Sequence, residues 1–388
     1  MKILLVDPCQ ARLPVPNDLI RADTYVSLSL ANELYRRKHS VFFLTTKDSA
    51  LDLPQIKTDQ ESLFTVMTPE KFYEMGDQYQ SAELTKMFFA NILLKCVELA
   101  KTEHFDIIHV HSDRFLFELE MLKAIQDTPI VVTIHSVPEV KEIVSDVVKN
   151  YNFDDRFFVS ISDKQREFFP YSFTSTVYNG IDLNLFKFNE DGGDDMIFTG
   201  RLRKIKGIRE AIETAIRTKK KLTFHGKTSS ENAFVQSEID PLVNQHSDLI
   251  SYLGFIARAK LEEFYGQGKL ILVPIQWEEP FGLVMIEAMA CGTPVIAFAK
   301  GSVPEVIKDG VTGFIVNSSD KDIRGDWIIK KTGIEGLCEA VEKIYAMPKE
   351  EYLKMRKNCR EHVEAYFTVE NMADNYEKVY NKAMLDSR

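Results

Sequence analysis

Two stretches in the second half of the chain gather residue types that handle phosphates and hydroxyls. The first, Gly200-Arg201-Leu202-Arg203-Lys204-Ile205-Lys206-Gly207, follows the apolar run Met196 to Thr199 and opens a helical pattern reaching about Arg217. Glycine permits a tight turn, while Arg201 and Lys206 set two fixed positive charges beside a helix N-terminus that itself attracts anions. A diphosphate suits such a site. A solvated basic turn is the alternative, and the strand-end position, where open α/β sheets bind ligands, makes the two readings comparable.

The second stretch runs Glu278-Glu279-Pro280-Phe281-Gly282-Leu283-Val284-Met285-Ile286-Glu287, then Ala288 to Pro294. An apolar strand, Leu270 to Pro274, leads into it; a helix starts near Gly282 and ends at Gly292 and Pro294. Glu279 then lies just before the helix and Glu287 a little over one turn inside it. Carboxylates accept hydrogen bonds from hydroxyls, so two of them spaced along one ligand suit a molecule with two polyol parts. The free amides of Phe281, Gly282, Leu283 and Val284 add donors between them. Either glutamate could instead favour the helix N-terminus or sit solvated. A glycosidase pair, which needs carboxylates about 5 to 10 Å apart, is disfavoured because one loop and helix approach a sugar from one side only.

Three histidines fall at strand ends of the first half: His109, His111 and His135. Residues at i and i+2 on a strand share a face, but no carboxylate or thiol at ligand spacing accompanies them, so a polar contact from His135 to a ligand is favoured over a metal site. Asp320-Lys321-Asp322 has the D-x-D spacing of some metal sites; capping of a turn by Ser318, Ser319 or Asp320 accounts for it better. No metal is expected. The first strand-to-helix turn, Asp7 to Asp23, contains no glycine, which removes the G-x-G-x-x-G of a dinucleotide-binding dehydrogenase.

The elements that must position these residues follow one rhythm. Short, unalternated apolar runs (Ile3 to Val6, Val41 to Leu44, Ile107 to Val110, Ile130 to Ile134, Phe157 to Ile161) read as strands buried on both faces. Helical patterns separate them, among them Tyr25 to Arg37 and Ala82 to Lys101. The rhythm pauses at Tyr178 to Asp182 and the polar stretch Phe188 to Asp195, then resumes with Met196 to Thr199, Leu222 to His225, Ile250 to Leu253, Leu270 to Pro274, Val295 to Phe298 and Phe314 to Val316. Two α/β domains result, 1–180 and 181–367; the amphipathic helix at 368–388 is too short to be a domain and must pack on one of them, the first being expected. Ala11 to Asp23 and Lys321 to Thr332 are irregular and are candidate ligand loops.

Composition narrows the class. The 388 residues suggest two or three domains at ~150 each, and 45% hydrophobic, 27% charged and 11% aromatic residues exclude a disordered or collagenous chain. A formal charge of −10 is the wrong sign for coating nucleic acid or an anionic membrane. Five scattered cysteines without C-x-x-C, and the lack of any apolar stretch of about 18 residues or a signal peptide, point to a cytoplasmic protein with no transmembrane segment.

Taken together, Gly200-Arg201-Leu202 with Lys206-Gly207, Glu279-Pro280-Phe281-Gly282 with Glu287 in an E-x7-E pattern, Cys291 to Ala297, Gly301-Ser302-Val303-Pro304-Glu305, Asp309 to Phe314 and Tyr178 to Asp182 resemble the family 4 retaining, nucleotide-sugar-dependent glycosyltransferases. The resemblance implies an α/β GT-B fold: two doubly wound Rossmann-like domains facing each other across a cleft, the second holding the donor. It implies that Arg201 and Lys206 hold the donor diphosphate beside Gly200, Glu287 the ribose, and Glu279 the transferred sugar with Pro280 to Val284. His135 would reach the sugar or reacting phosphate, and the main chain of Gly254, Phe255 and Ile256 would meet the base. The implied reaction moves a hexosyl-type sugar, from a UDP-sugar by preference, to a hydroxyl of a saccharide, lipid-linked or small-molecule acceptor. The leaving phosphate takes the acceptor's proton on the face the sugar leaves, so configuration is retained without metal, cofactor or separate base. No nucleic acid partner is implied; peripheral membrane contact is compatible. The first loop departs from the family, with Leu13-Pro14-Val15-Pro16 where members have Gly-Gly, and Lys38 stands where they have Gly before His39. A sugar-nucleotide-binding protein without transfer, and an epimerase or phosphorylase on the same fold, are the alternatives.

Overall fold

The computed structural model describes residues 1–8, 10–74, 78–112, 120–138, 156–169, 171–228 and 232–387; Cys9 lies outside them. The chain divides into two compact units, Met1–Gly180 with Val369–Arg388, and Ile181–Thr368. Phe188 to Asp195, the polar pause in the sequence, lies inside the second unit.

In the first unit β1 (Lys2–Val6), β2 (Ser40–Thr45), β3 (Gln55–Lys57), β4 (Ile107–Ser112), β5 (Ile130–Ile134), β6 (Arg156–Ser160) and β7 (Ser175–Thr176) form a parallel sheet in the order β3-β2-β1-β4-β5-β6-β7. The apolar runs read from the sequence are its central strands, buried because helices cover both faces. β3 and β7 escaped that reading: three- and two-residue edge strands have half-buried, mixed residues and no apolar run. The Ala22–Arg36 helix leaves the end of β1, where buried Asp7 accepts hydrogen bonds from Thr24 Oγ1 at 3.1 Å and Ser27 Oγ at 2.7 Å. The final helix, Val369–Asp386, buries Met372, Ala373, Tyr376, Val379, Tyr380 and Ala383. It packs on the Ala22–Arg36 helix and β5, and Arg37 Nη1 meets Asp374 at 2.5 Å and Glu377 at 3.1 Å.

The second unit repeats the plan with β8 (Met196–Thr199), β9 (Leu222–His225), β10 (Ile250–Tyr252), β11 (Leu270–Val273), β12 (Val295–Phe298) and β13 (Gly313–Val316), in the order β10-β9-β8-β11-β12-β13. Every pairing is parallel. Both sheets therefore follow the 3-2-1-4-5-6 order of a doubly wound Rossmann-like domain. Helices Ile208–Thr218 and Gly333–Tyr345 share one apolar layer, with Ile208, Ala211, Ile212 and Ala215 against Leu337, Ala340, Val341 and Ile344. Among the described residues no helix is long and apolar enough to cross a membrane.

Candidate functional site

A doubly wound sheet leaves a crevice at the carboxyl ends of its strands where the strand order reverses. In the second unit that point lies between β8 and β11, so the loops after Thr199 and Val273 must meet there. Gly207 lets them. Its φ is +79°, and a Cβ on it would stand 2.0 Å from the Pro274 carbonyl oxygen; Gln276 N donates to Ile205 O at 2.8 Å. Residues 73 apart are thereby joined: Lys206 Nζ donates to Glu279 Oε2 at 2.7 Å. Trp277 Nε1 donates to the same oxygen at 3.0 Å, and Lys206 Nζ lies 4.7 Å from the Trp277 ring centroid. Glu279 Oε1 has no hydrogen-bond partner among the described residues. One oxygen holds the cation and the other keeps its acceptor capacity.

Gly200 is half-buried and Arg201 exposed at the start of the β8 loop. Gly282, Leu283 and Val284 are half-buried at the start of the Leu283–Ala290 helix, whose first N–H groups have no intrahelical acceptor. Pro280 and Phe281 are buried, and the Phe281 ring packs on Phe367 with centroids 5.8 Å apart. That ring belongs to the core, leaving only its main chain to meet a ligand. Gly254, Phe255 and Ile256 form a half-buried run after β10, where Gly254 O accepts from Gly226 N at 2.9 Å.

Glu287 sits one turn into its helix with a side chain only 4% exposed. Arg258 Nη1 donates to Oε1 at 3.0 Å and Tyr265 OH to Oε2 at 2.9 Å. Burial, reinforced by the Glu287 charge, pushes the Tyr265 phenol well above its usual range, so it stays a donor. Arg258, Tyr265 and Trp277 carried no local pattern in the sequence.

The Lys321 to Thr332 loop is tied down rather than open. Arg324 makes a bidentate pair with Glu278, Nη1 to Oε2 at 2.7 Å and Nη2 to Oε1 at 2.6 Å, while its Nε meets Asp322 Oδ1 at 2.7 Å. Lys300 closes the network on Asp322 Oδ2 at 2.7 Å. Burial alone would raise Glu278, but the Arg324 hydrogen bonds and the Gly301 amide hold it below the usual carboxylate range. Of the D-x-D pair, Asp320 Oδ1 accepts from Thr332 Oγ1 and Asp322 Oδ2 from Ser318 Oγ.

His135 belongs to the first unit. His109 Nδ1 meets Tyr380 OH at 2.8 Å and its Nε2 meets Thr133 Oγ1 at 2.8 Å, while His111 Nδ1 meets His135 Nε2 at 2.8 Å. Burial drives all three rings toward the neutral form, His109 to about 3, His135 to about 4 and His111 well below the usual value. The Asp23 charge only partly offsets this at His135. The neighbouring loop is folded inward, with Ala11, Leu13, Val15 and Leu19 buried and Leu13 N donating to Ser49 Oγ at 2.9 Å.

Residues 24–185 match the family model "Glycosyltransferase Family 4", and residues 182–362 match "Glycosyl transferases group 1". By both matches the chain is a glycosyltransferase of the group 1/family 4 class. It is similar to the N-acetyl-alpha-D-glucosaminyl L-malate synthase of Bacillus anthracis, 23% identical over 94% of each chain. In fold it is similar to sucrose-phosphate synthase from Thermosynechococcus elongatus (TM-score 0.72, 21% identity, 100% of both chains). The Anabaena protein HepE in complex with UDP and glucose also matches (TM-score 0.70, 16% identity, 98% of this chain and 100% of that one). These neighbours place its two Rossmann-like units in the GT-B fold.

Proposed function

We propose that the second unit binds a nucleotide-diphosphate sugar, a UDP-sugar by preference, and that the protein transfers its hexosyl-type sugar to a hydroxyl acceptor with retention of configuration. The Lys206–Glu279 pair at the β8/β11 switch point carries this reading. A diphosphate needs cations and amide donors, and a sugar hydroxyl needs an acceptor; the pair offers Lys206 and Glu279 Oε1 side by side, next to the N-terminus of the Leu283–Ala290 helix. HepE, a protein of the same fold, was solved with UDP and glucose.

In this reading Lys206 and Arg201 neutralise the leaving diphosphate, whose charge grows as the glycosidic bond breaks. Glu279 orients the sugar hydroxyls, and Glu287, with Arg258 and Tyr265 behind it, accepts from the ribose. Gly254 to Ile256 offer main-chain polar groups to the base. The departing phosphate oxygen is itself a base for the acceptor hydroxyl, so neither a metal, a further cofactor nor a protein base is required.

Thermal unfolding of the full chain with UDP-, GDP- and ADP-sugars tests donor binding. A donor at 100 times its dissociation constant adds about 2.7 kcal/mol. Stabilisation by a UDP-sugar, with release of UDP and an α-linked product from an α-linked donor, is the expected outcome. Stabilisation by none of the three rejects the donor site, and donor binding without any glycosylated product leaves a binding protein.

A further inference from the structure

We propose that His111 is a positioning residue that fixes the proton of His135 on Nδ1, so that His135 meets its ligand as a hydrogen-bond donor and not as a base. The proposal deepens the reading of His135 as a ligand contact and rests on it for its functional consequence, though not for its chemistry.

The argument is one of counting donors and acceptors. His111 is fully buried, and its Nδ1 lies 2.8 Å from His135 Nε2. Its other nitrogen, Nε2, is buried and has no hydrogen-bond partner among the described residues. The nearest polar ring cannot supply one: His109, 4.2 Å away centroid to centroid, already engages Thr133 and Tyr380 with its two nitrogens.

A neutral imidazole carries one proton. Were that proton on His111 Nε2, a buried N–H would be left with no acceptor, the costlier kind of orphan. The proton therefore sits on His111 Nδ1 and is donated to His135 Nε2. A second neutral ring that accepts through Nε2 must hold its own proton on Nδ1. A cationic pair is opposed by burial among three rings, one of them His109.

His135 Nδ1 makes no hydrogen bond among the described residues. The ionised Asp23, paired with Arg21 at 2.8 Å, lies close enough for its charge to act on the His135 ring. Tyr376 and Tyr380, from the last helix, brace the array through Thr133 and His109. A lone pair suitable for proton abstraction is thus absent from the free side of His135, and an oxygen of the sugar or phosphate is the kind of group it can meet.

The test uses the full chain with ring-15N-labelled histidine and long-range 1H–15N correlation at pH 7, the His135 signals assigned by their loss in His135→Gln. The expected result is His135 protonated at Nδ1 with Nε2 bare. Protonation at Nε2, or at both nitrogens, overturns the proposal whether or not the protein transfers sugar. Kinetics supply a second arm. In His111→Asn the side-chain amide can still donate to His135 Nε2, whereas His111→Phe keeps the ring volume and loses the donor. We expect His111→Phe to lose about 10- to 100-fold in kcat, the range for losing a group that orients a histidine, and His111→Asn to lose distinctly less. The reverse ordering, the outcome of a purely space-filling role, would sink it. Absence of transfer by the wild type rejects the functional reading alone, since the spectra still decide the tautomer.

Discussion

Lys206 Nζ and Trp277 Nε1 converge on one oxygen of Glu279, at 2.7 and 3.0 Å, and among the described residues the other oxygen of that carboxylate has no hydrogen-bond partner. In the proposed reading the pair is a preformed site, with the cation held in place before any phosphate arrives. Removing a donor aimed at growing charge costs turnover, so Lys206→Ala and Arg201→Ala should each lose about 10²-fold or more in kcat. In the proposed reading Glu287 accepts from the ribose, a part of the donor that does not change in the reaction. Glu287→Ala should chiefly weaken donor binding, by roughly 1.5 to 3 kcal/mol, with Glu279→Ala falling between the two. Steady-state kinetics showing Glu287→Ala losing kcat at constant donor affinity would reverse the assigned roles.

If Lys206, Arg201 and the helix amides supply the positive charge, as proposed, turnover should be unchanged by EDTA. Activity abolished by the chelator and restored by Mg²⁺ or Mn²⁺ would show that the charge comes from elsewhere.

Glu278 and Arg324 tie the Lys321 to Thr332 loop to the residue beside Glu279. Glu278 also accepts from Gly301 N at 2.8 Å, and Ser302 N donates to Glu279 O at 2.9 Å. Gly301, at φ +55°, has no room for a side chain: a Cβ would stand 2.1 Å from the Glu279 carbonyl oxygen. Arg324→Ala should therefore raise the donor KM, and the double variant Arg324→Ala/Glu278→Ala should cost less than the sum of the singles. Coupling of about 0.5 kcal/mol or more is expected for a contacting pair. Strict additivity would show that the bidentate pair does not brace the site.

Arg356 is fully buried and has no carboxylate partner among the described residues. Its guanidinium is instead ringed by Asn189 O (2.7 Å), Gly268 O (3.1 Å), Tyr352 OH (3.1 Å), Gly266 O (3.3 Å) and Cys291 O (3.3 Å). It thereby ties the Phe188 to Asp195 stretch to the end of the Glu287 helix. Arg356→Met should cost about 3 kcal/mol or more, since it strands several buried carbonyls at once. A urea midpoint equal to the wild type would contradict this.

His109, His111, His135 and His225 are all held neutral by burial, His225 to about 4. Unfolding exposes rings that protonate near 6.5, so below that pH the unfolded chain binds more protons than the native one. Stability should fall as pH drops from about 6.5 toward 4, each histidine contributing up to about 1.4 kcal/mol per pH unit. Melting curves at pH 7, 6 and 5 test it above the carboxylate range; an unchanged midpoint would be inconsistent with neutral buried rings.

Much of the fold was legible because strands covered on both faces must be apolar throughout. Ile130 to Ile134 and Met196 to Thr199 were read from that pattern to the residue. Lys349–Tyr366 was not read: its surface is charged all round except for a few positions such as Met355, Cys359 and Val363. Glu279, Glu287, Arg201 and Lys206 stood out because each lies within a few residues of the turn that makes it useful. What the sequence could not contain was the identity of the partners. Lys206 meets Glu279, Glu287 meets Arg258 and Tyr265, Glu278 meets Arg324, and His111 meets His135 only because the parallel strands of each sheet bring their carboxyl ends to one side. Local propensity and periodicity are properties of neighbouring residues. Hydrogen-bond satisfaction among buried groups is a property of the packed chain, and it alone decides which glutamate oxygen stays open and which histidine nitrogen carries the proton.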